Sequence, residues 1–287
     1  MLNRTILAEW MINKDTSRFC QKMLAAILLL PLISIVTVGN VAHARDRIKP
    51  VCMDWAKLTV GEYEINNNVW GKRQLHDYSQ CVYKTANTKG EFPHDFGWSW
   101  DWPKAFDGVK AYPSILYGRK PWNAYSTTLD LPRAINQLQH ISVSYKLKTQ
   151  STGAVNLLLE SWITRNGKPG PEDRLGELAI QLYQIKWPGQ AGDFIEPVVI
   201  NGIPFDFYVA RKTHAPGDKQ RWAYYGFVHK AKTIFQAKID IMQFVNFLVR
   251  KGYVDRKNYI ATVELGNEVD YGKGKTEVEH FSVKVEQ

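Results

Sequence analysis

Short segments in which apolar and polar residues alternate dominate the second half of the chain. Turn-forming stretches such as RNGKPGPED (165–173) and HAPGD (214–218) separate them. Because successive side chains of a strand point to opposite faces, this pattern predicts many short β-strands, as in an antiparallel sandwich. The alternating segments are 140–149 (HISVSYKLKT), 154–164 (AVNLLLESWIT), 175–185 (LGELAIQLYQI), 221–231 (RWAYYGFVHKA) and 259–269 (YIATVELGNEV).

One segment, DIMQFVNFLVRKG at 240–252, has helical rather than alternating periodicity. Asp240 and Gln243 resemble a capping box at its start, and Gly252 suits the position just past its end. We therefore expect one amphipathic helix packed on the outer, convex side of a sheet. Its apolar positions are Ile241, Met242, Val245, Leu248 and Val249.

The N-terminal segment has the three parts of a secretory signal peptide. Basic residues precede an apolar run at 23–38, and the small-residue stretch AHA follows at 42–44. A membrane anchor is the alternative, but the run is short for a membrane span and contains Pro31. We expect residues 1–44 to be removed, and residues 45–287 to form a single secreted domain with no membrane contact.

Cysteine usage fits an oxidising compartment. Cys20 lies in the predicted leader, which leaves Cys52 and Cys81 as an even pair. A disulfide between them is the prediction, and two buried free thiols are the alternative. The sequence contains no CxxC motif or histidine cluster, so we expect neither a metal site nor a cofactor.

The composition favours a sugar partner over a nucleic acid. The net charge of +9 is spread along the chain, with no basic helix and no nucleic-acid motif. Ten tryptophans accompany many Asn, Asp and Glu residues. Indole rings suit the flat faces of pyranose rings, and the polar side chains suit the sugar hydroxyls.

Strand alternation places several glutamates on one predicted concave face. On the segment 175–183, Glu177 and Gln181 share a face, opposite an apolar face that should point into the core. Each glutamate alone would be an ordinary solvated residue, but their aromatic and amide neighbours favour a site. Two facing carboxyl groups beside tryptophans are typical of glycosidases. The four glutamates are Glu160, Glu177, Glu264 and Glu268.

The chain resembles family 12 of the glycoside hydrolases, which are secreted endo-β-1,4-glucanases with a β-jelly-roll fold. The resemblance implies an all-β sandwich of two antiparallel sheets. Six stretches carry it in the family's order and cover nearly all of residues 45–287. They are NNVWG (67–71), GWSWDWP (97–103), VKAYPSILYG (109–118), GELAIQLY (176–183), FVNFLVRKGYVDRKNYI (244–260) and GNEVDYGKGKTEVEHFSVKV (266–285).

The resemblance implies catalytic roles for three glutamates. The family's nucleophile falls on Glu177, its acid/base on Glu268, and the carboxylate that steadies the nucleophile on Glu160. The family usually has Asp at the third position. It also usually has Met where this chain has Ala179, Trp where it has Gln181, and Pro after the acid/base, where Val269 stands.

Further residues are candidates for substrate binding. Asn68 and Trp70 match the family's substrate-contacting Asn and Trp, and Gln181 is expected to line the cleft. Glu264 is expected to line it too, either by contacting a hydroxyl or as a salt-bridged residue at its edge. Trp98, Trp100 and Trp102 occupy every second position and so share one face, which is expected to form a sugar platform if it lines the cleft, although core packing of at least one is expected. Lesser candidates are Tyr112, Trp122 and Tyr125.

The sequence therefore predicts a monomeric, secreted, retaining endo-β-1,4-glucanase that acts on β-glucan polysaccharide. A xyloglucan-specific enzyme of the same family is one alternative. A non-catalytic carbohydrate-binding jelly roll is another, but it would have no need of carboxylates at Glu160, Glu177 and Glu268 together. The sequence does not choose among cellulose, mixed-linkage glucan and xyloglucan.

Overall fold

The computed structural model describes residues 49–84, 96–213, 221–230 and 233–287. The predicted leader lies outside these residues. Within them, sixteen β-strands accompany one α-helix, α1 (Ile241–Arg250). The strands are β1 (Lys57–Val60), β2 (Tyr63–Asn66), β3 (Ser79–Lys84), β4 (Phe96–Trp102), β5 (Ser114–Gly118), β6 (Arg133–Ala134), β7 (His140–Ser151), β8 (Ala154–Thr164), β9 (Arg174–Ile185), β10 (Asp193–Ile200), β11 (Ile203–Thr213), β12 (Trp222–His229), β13 (Gln236–Asp240), β14 (Tyr259–Ile260), β15 (Thr262–Gly266) and β16 (Val269–Glu286).

The strands form two layers joined through β16. The first layer has the order β1-β2-β5-β15-β8-β9-β12-β11-β10, and the second has the order β3-β4-β16-β7-β13. Strand β16 starts beside β8, where Val269 pairs with Val155, and then continues in the second layer. This arrangement confirms the predicted all-β jelly-roll sandwich.

One strand pair departs from the antiparallel prediction. Strands β9 and β12 are parallel, with Glu177 opposite Tyr224. The parallel pair arises because the hairpin β10–β11 intervenes along the chain, so that β12 returns to the side of β9 from the sheet edge. The pairing matters for the site, because it brings side chains of β12 beside Glu177.

The core between the layers takes the apolar face of each strand. Leu178, Ile180 and Leu182 of β9 are buried there, as strand alternation predicts. The same cluster contains Trp98 and Trp100 of β4, which are 0% and 3% exposed. The proposed sugar platform is therefore wrong for both residues, because β4 lies in the second layer and turns its tryptophan face inward.

The helix begins and ends where the sequence predicts. Asp240 caps it by accepting a hydrogen bond from the Met242 amide at 3.0 Å, and Gly252 has a φ of 75° just past its end. The expected capping box does not close, because Gln243 instead accepts from the Asn201 amide at 3.2 Å. The ring of Phe244 packs on Phe227 at 5.0 Å.

The helix covers the face of the first layer opposite to the side chains of Trp222 and Tyr224. Those two residues alternate along β12 with Phe227, which faces α1. The predicted disulfide between Cys52 and Cys81 is formed and ties the start of the described chain to β3. None of the described helices combines the length and apolar character needed to cross a bilayer.

Candidate active site

A cleft of about 400 Å³ crosses the exposed face of the first layer. Its lining combines aromatic rings with carboxyl, amide and basic groups, which is the combination that a sugar polymer requires. The lining includes seven residues that the sequence singles out, namely Asn68, Trp70, Tyr112, Trp122, Glu160, Glu177 and Glu268. It also includes Trp55, Lys57, Asn66, Val109, Lys120, Asn123, Trp162, Arg174, Ala191, Trp222 and Tyr224.

Glu177 lies on β9 between neighbours from two adjacent strands. Trp162 of β8 pairs with it on one side, and Tyr224 of β12 on the other. The indole Nε1 of Trp222 donates a hydrogen bond to Glu177 Oε2 at 2.9 Å. Burial raises the pKa of Glu177 to about 7, even though the Trp222 hydrogen bond and the charge of Lys120 favour the anion.

Glu268 lies in a break of two residues between β15 and β16, not on one continuous strand as the sequence suggested. Asn156 of β8 holds it at three points. The Asn156 side-chain amide donates to Glu268 Oε2 at 2.6 Å, its side-chain oxygen accepts from the Glu268 amide at 3.2 Å, and its backbone amide donates to the Glu268 carbonyl at 3.0 Å. This clamp fixes the carboxyl group relative to the sheet.

The electrostatic environment of Glu268 differs from that of Glu177. Burial raises the pKa of Glu268 to about 7. The Asn156 hydrogen bond works against that shift, whereas the negative charge of Glu177 adds to it. Each carboxyl group therefore titrates near neutral pH, and ionisation of Glu177 favours retention of the proton on Glu268.

A buried charge cluster of Glu160, Glu264 and Lys120 lies at the floor of the cleft, where Glu160 and Lys120 line it and Glu264 lies below them. Glu160 pairs with Glu264 across β8 and β15. The Lys120 Nζ lies 2.8 Å from Glu264 Oε2, and Ser114 donates a hydrogen bond to Glu264 Oε1 at 2.5 Å. One cation is thus enclosed by two carboxyl groups, so its charge offsets part of theirs.

The pKa values within this cluster move in the directions that burial and charge require. Burial raises the pKa of Glu160 well above its usual range, and the opposing effect of Lys120 does not cancel it. For Lys120, burial alone would lower the pKa, but the combined charges of Glu264 and Glu160 raise it. Among the described residues, Glu160 Oε1 has no hydrogen-bond partner. Lys120 therefore stays charged, whereas Glu160 tends to keep its proton.

Two predicted cleft residues lie deeper than expected. Glu264 is 0% exposed and outside the cleft lining, so its salt bridge lies below the cleft rather than at its edge. Gln181 is 3% exposed and donates to the Tyr224 hydroxyl at 3.3 Å, outside the lining. Strand alternation places both on the correct face, but neighbouring side chains cover them.

Asn68 and Trp70 both line the cleft, as the sequence predicts. Asn68 Oδ1 accepts from the Trp70 amide at 3.0 Å, which fixes the backbone below an indole that is 38% exposed. Trp122, which also lines the cleft, packs edge-on against Trp162, with ring centroids 5.3 Å apart. The exposed Tyr125 lies outside the lining.

Among the cleft-lining residues that sequence reasoning missed are Trp55, Lys120, Arg174, Trp222 and Tyr224. Tyr224 and Trp222 belong to the alternating segment 221–231, so strand alternation could have placed them beside Glu177 once the β9–β12 pairing was known. Lys120 and Arg174 follow a strand end and a turn, and Trp55 lies ahead of β1; no periodic signal marks these three positions. Within the described ranges, no group of three metal-ligating side chains occurs.

The jelly-roll fold and a cleft in which two partly buried carboxyl groups with raised pKa values lie among indole rings define a glycosidase. The chain belongs to glycosyl hydrolase family 12, whose family model matches residues 61–286.

Three proteins similar to this chain are an endoglucanase, an inactive glycoside hydrolase and a xyloglucanase. Endoglucanase S of Pectobacterium parmentieri is 27% identical, over 96% of this chain and 98% of its own. An inactive glycoside hydrolase of Phytophthora nicotianae is 25% identical, over 82% and 91%. A solved structure of a family 12 xyloglucanase from Bacillus licheniformis, in complex with ligand, is 27% identical with a TM-score of 0.75, over 83% of this chain and 100% of its own.

Proposed function

We propose that this chain is a retaining endo-β-1,4-glucanase that cleaves internal bonds of β-glucan polysaccharides. The observation that supports it most is the presence of Glu177 and Glu268 in one aromatic cleft, each with a pKa raised to about 7. Because one relative is an inactive glycoside hydrolase, similarity to the family does not by itself establish activity, and activity has to be inferred from the residues of this chain. A protein that only binds sugars would gain nothing from two carboxyl groups poised to exchange protons.

The first step is attack by Glu177 on the anomeric carbon while Glu268 protonates the glycosidic oxygen. The bond between that carbon and oxygen breaks, and a covalent glycosyl-enzyme remains on Glu177. In the second step Glu268, now a carboxylate, takes a proton from water, which attacks the same carbon and releases Glu177. Two inversions leave the product with the configuration of the substrate.

The structure supports this assignment of the two roles over the reverse one. Glu177 accepts a hydrogen bond from the Trp222 indole and interacts with the positive charge of Lys120, and both interactions favour its anionic form. Glu268 has the neutral Asn156 amide as its donor and the negative charge of Glu177 nearby. These contacts favour ionisation of Glu177 before that of Glu268, which would prepare a nucleophile and an acid simultaneously.

Xyloglucan-specific cleavage is the second candidate. It is favoured by the likeness to the Bacillus licheniformis xyloglucanase, which matches this chain over the full length of that structure. We further propose that the enzyme acts outside the cell as a monomer, after removal of residues 1–44.

The test compares carboxymethyl-cellulose, mixed-linkage β-glucan and xyloglucan as substrates. We expect viscosity to fall early relative to the release of reducing ends, because internal cleavage shortens chains before it produces many ends. A Glu177→Gln variant serves as the control for contaminating activity. Retained binding of all three polymers without any new reducing ends would replace the proposal by non-catalytic sugar binding.

The pH dependence follows from the same two carboxyl groups. The active form carries one proton on the pair, so kcat/KM should be bell-shaped. Activity rises towards pH 7 as Glu177 loses its proton, and it falls above as Glu268 loses its own. The optimum should therefore lie near pH 7 instead of near the pKa of about 4.3 of an ordinary glutamate.

Substrates with different leaving groups separate the two limbs of the profile. A dinitrophenyl β-cellobioside needs no protonation of its leaving group, so its alkaline limb should flatten while the acidic limb persists. Two results together would contradict the proposed environment of the pair. Activity on β-glucan would be highest below pH 5, and the acidic limb with the dinitrophenyl substrate would also end below pH 5.

A further inference from the structure

A pair of aromatic residues, of which Phe194 is exposed and Tyr208 is partly buried, lies on the two strands beyond the cleft. Phe194 of β10 is 53% exposed, and its ring packs edge-on against Tyr208 of β11 with centroids 5.6 Å apart. We call these two residues the distal platform. Contact of half of a phenylalanine side chain with water is energetically unfavourable, and exposed apolar patches commonly mark binding grooves.

The distal platform faces the same side of the sheet as the cleft. Phe207, the residue before Tyr208, packs in the core against Phe227 and Phe247. Because adjacent side chains of a strand point to opposite faces, Tyr208 points to the cleft side. Phe194 is paired with Tyr208 in the β10–β11 ladder and therefore shares that side.

Tyr224 and the strand register connect the cleft with the distal platform. Tyr224 lines the cleft, and its ring lies over Gly226, where an added Cβ would come within 2.8 Å of it. Gly226 is in turn the ladder partner of Tyr208. Tyr224, Tyr208 and Phe194 thus lie on one face of the neighbouring strands β12, β11 and β10, which are about 4.8 Å apart.

Polar groups accompany the rings. Asp206 lies one strand repeat from Tyr208 on the same face, and its carboxylate pairs with Lys230 Nζ at 2.5 Å. A sugar hydroxyl can bond to such a pair while the ring rests on an aromatic face. This combination repeats, beyond the cleft, the aromatic and polar pattern of its lining.

We propose that Phe194 and Tyr208 form an additional glucosyl-binding subsite. A β-1,4-glucan chain that extends from the cleft past Tyr224 continues over the two rings, with its hydroxyls towards Asp206 and Lys230. The inference rests on the proposed function for the identity of the ligand. It predicts that long chains bind better than short ones and that the gain depends on the distal platform.

Self-association is the competing use of this surface, and features of β10 oppose it. Pro197 lacks an amide hydrogen for a new ladder, and Asp193 and Glu196 place charges along the edge. The register shift between Phe194 and Glu196 also interrupts the regular pairing edge. A glucan chain, which needs ring faces and not a strand edge, fits the surface better.

The test is calorimetric binding of cellotetraose and cellohexaose to Glu177→Gln protein with and without Phe194→Ala. We expect Phe194→Ala to weaken cellohexaose binding about tenfold, as burial of half a phenylalanine side chain implies, and to leave cellotetraose binding unchanged. Tyr208→Ala should act in the same direction. Leu129→Ala, an exposed apolar change outside both the cleft lining and the distal platform, is the matched control.

Each outcome decides a separate point. The subsite would be overturned if Glu177→Gln protein bound cellohexaose equally well with and without Phe194→Ala. It would also be overturned if Phe194→Ala weakened the binding of cellotetraose and cellohexaose by the same factor. A concentration-dependent dimer in sedimentation that Phe194→Ala abolishes would assign the surface to self-association. Loss of the length-dependent gain in a protein that hydrolyses no β-glucan would support the subsite while refuting the proposed hydrolysis.

Discussion

Replacing Glu177 by alanine is expected to abolish turnover of β-glucan, with a loss of roughly 10⁴-fold or more in kcat. The residue would supply the atom that bonds to the anomeric carbon, and among the described residues it is the carboxyl group that accepts a hydrogen bond from Trp222. Glu268→Ala should lose about 10²–10⁴-fold, the usual contribution of a general acid. Both losses are measured as initial rates on a soluble β-glucan.

Azide distinguishes the two variants by the anomer that forms. In Glu177→Ala, azide occupies the space of the missing carboxylate and attacks an activated β-glycoside once, which gives an α-glycosyl azide. In Glu268→Ala, Glu177 still forms the glycosyl-enzyme from a substrate with a good leaving group. Azide then intercepts that intermediate and gives a β-glycosyl azide, since two inversions restore the original configuration.

An exposed glutamate outside the cleft provides the matched control. Glu172→Ala removes a carboxyl group at the surface and should keep near-normal activity with no azide product. An α-glycosyl azide from Glu160→Ala would instead move the nucleophile to β8. The appearance of the β-anomer from Glu177→Ala would exchange the roles of the two glutamates.

Strand alternation was sufficient to find the face of the site. Glu160 and Glu177 fall on the cleft side because Leu159, Leu178 and Ile180 fall in the core, and this opposition is visible in the sequence. The same rule should have placed Trp98 and Trp100 correctly. They alternate with Gly97, Ser99 and Asp101, so the tryptophans form the apolar face of β4 and belong inside.

Strand alternation does not predict how deeply a side chain is buried or which strands pair. Alternation does not show that Tyr224 covers Gln181, nor that Glu264 lies below the cleft, because both depend on neighbours from distant parts of the chain. Tyr224 reaches the site only through the parallel pairing of β9 with β12. Lys120 reaches it from the segment after β5, where no periodic pattern fixes side-chain direction.

Lys120 should consequently have effects on both stability and activity that its sequence context does not suggest. Lys120→Met keeps much of the side-chain volume but leaves Glu264 buried without its cation. Removal of one partner of a buried ion pair typically costs about 3–5 kcal/mol of unfolding free energy. We expect a loss of that size in urea unfolding monitored by tryptophan fluorescence.

A double variant tests whether the loss comes from the unpaired charge. Lys120→Met combined with Glu264→Gln removes both charges of the 2.8 Å pair, so it should be more stable than the sum of the single effects implies. Additive losses would mean that the two side chains contribute independently, through packing and not through their charges.

The pH dependence of activity in Lys120→Met should shift, which a loss of packing alone would not cause. The positive charge of Lys120 lowers the pKa of Glu177, so its removal raises that pKa and shifts the acidic limb of kcat/KM to higher pH. Activity should fall most below pH 7 and recover partly above it, and Lys120→Arg should restore much of the original profile. An acidic limb that stays in place in Lys120→Met, with activity reduced equally at every pH, would show that Lys120 supports the cleft without tuning its nucleophile.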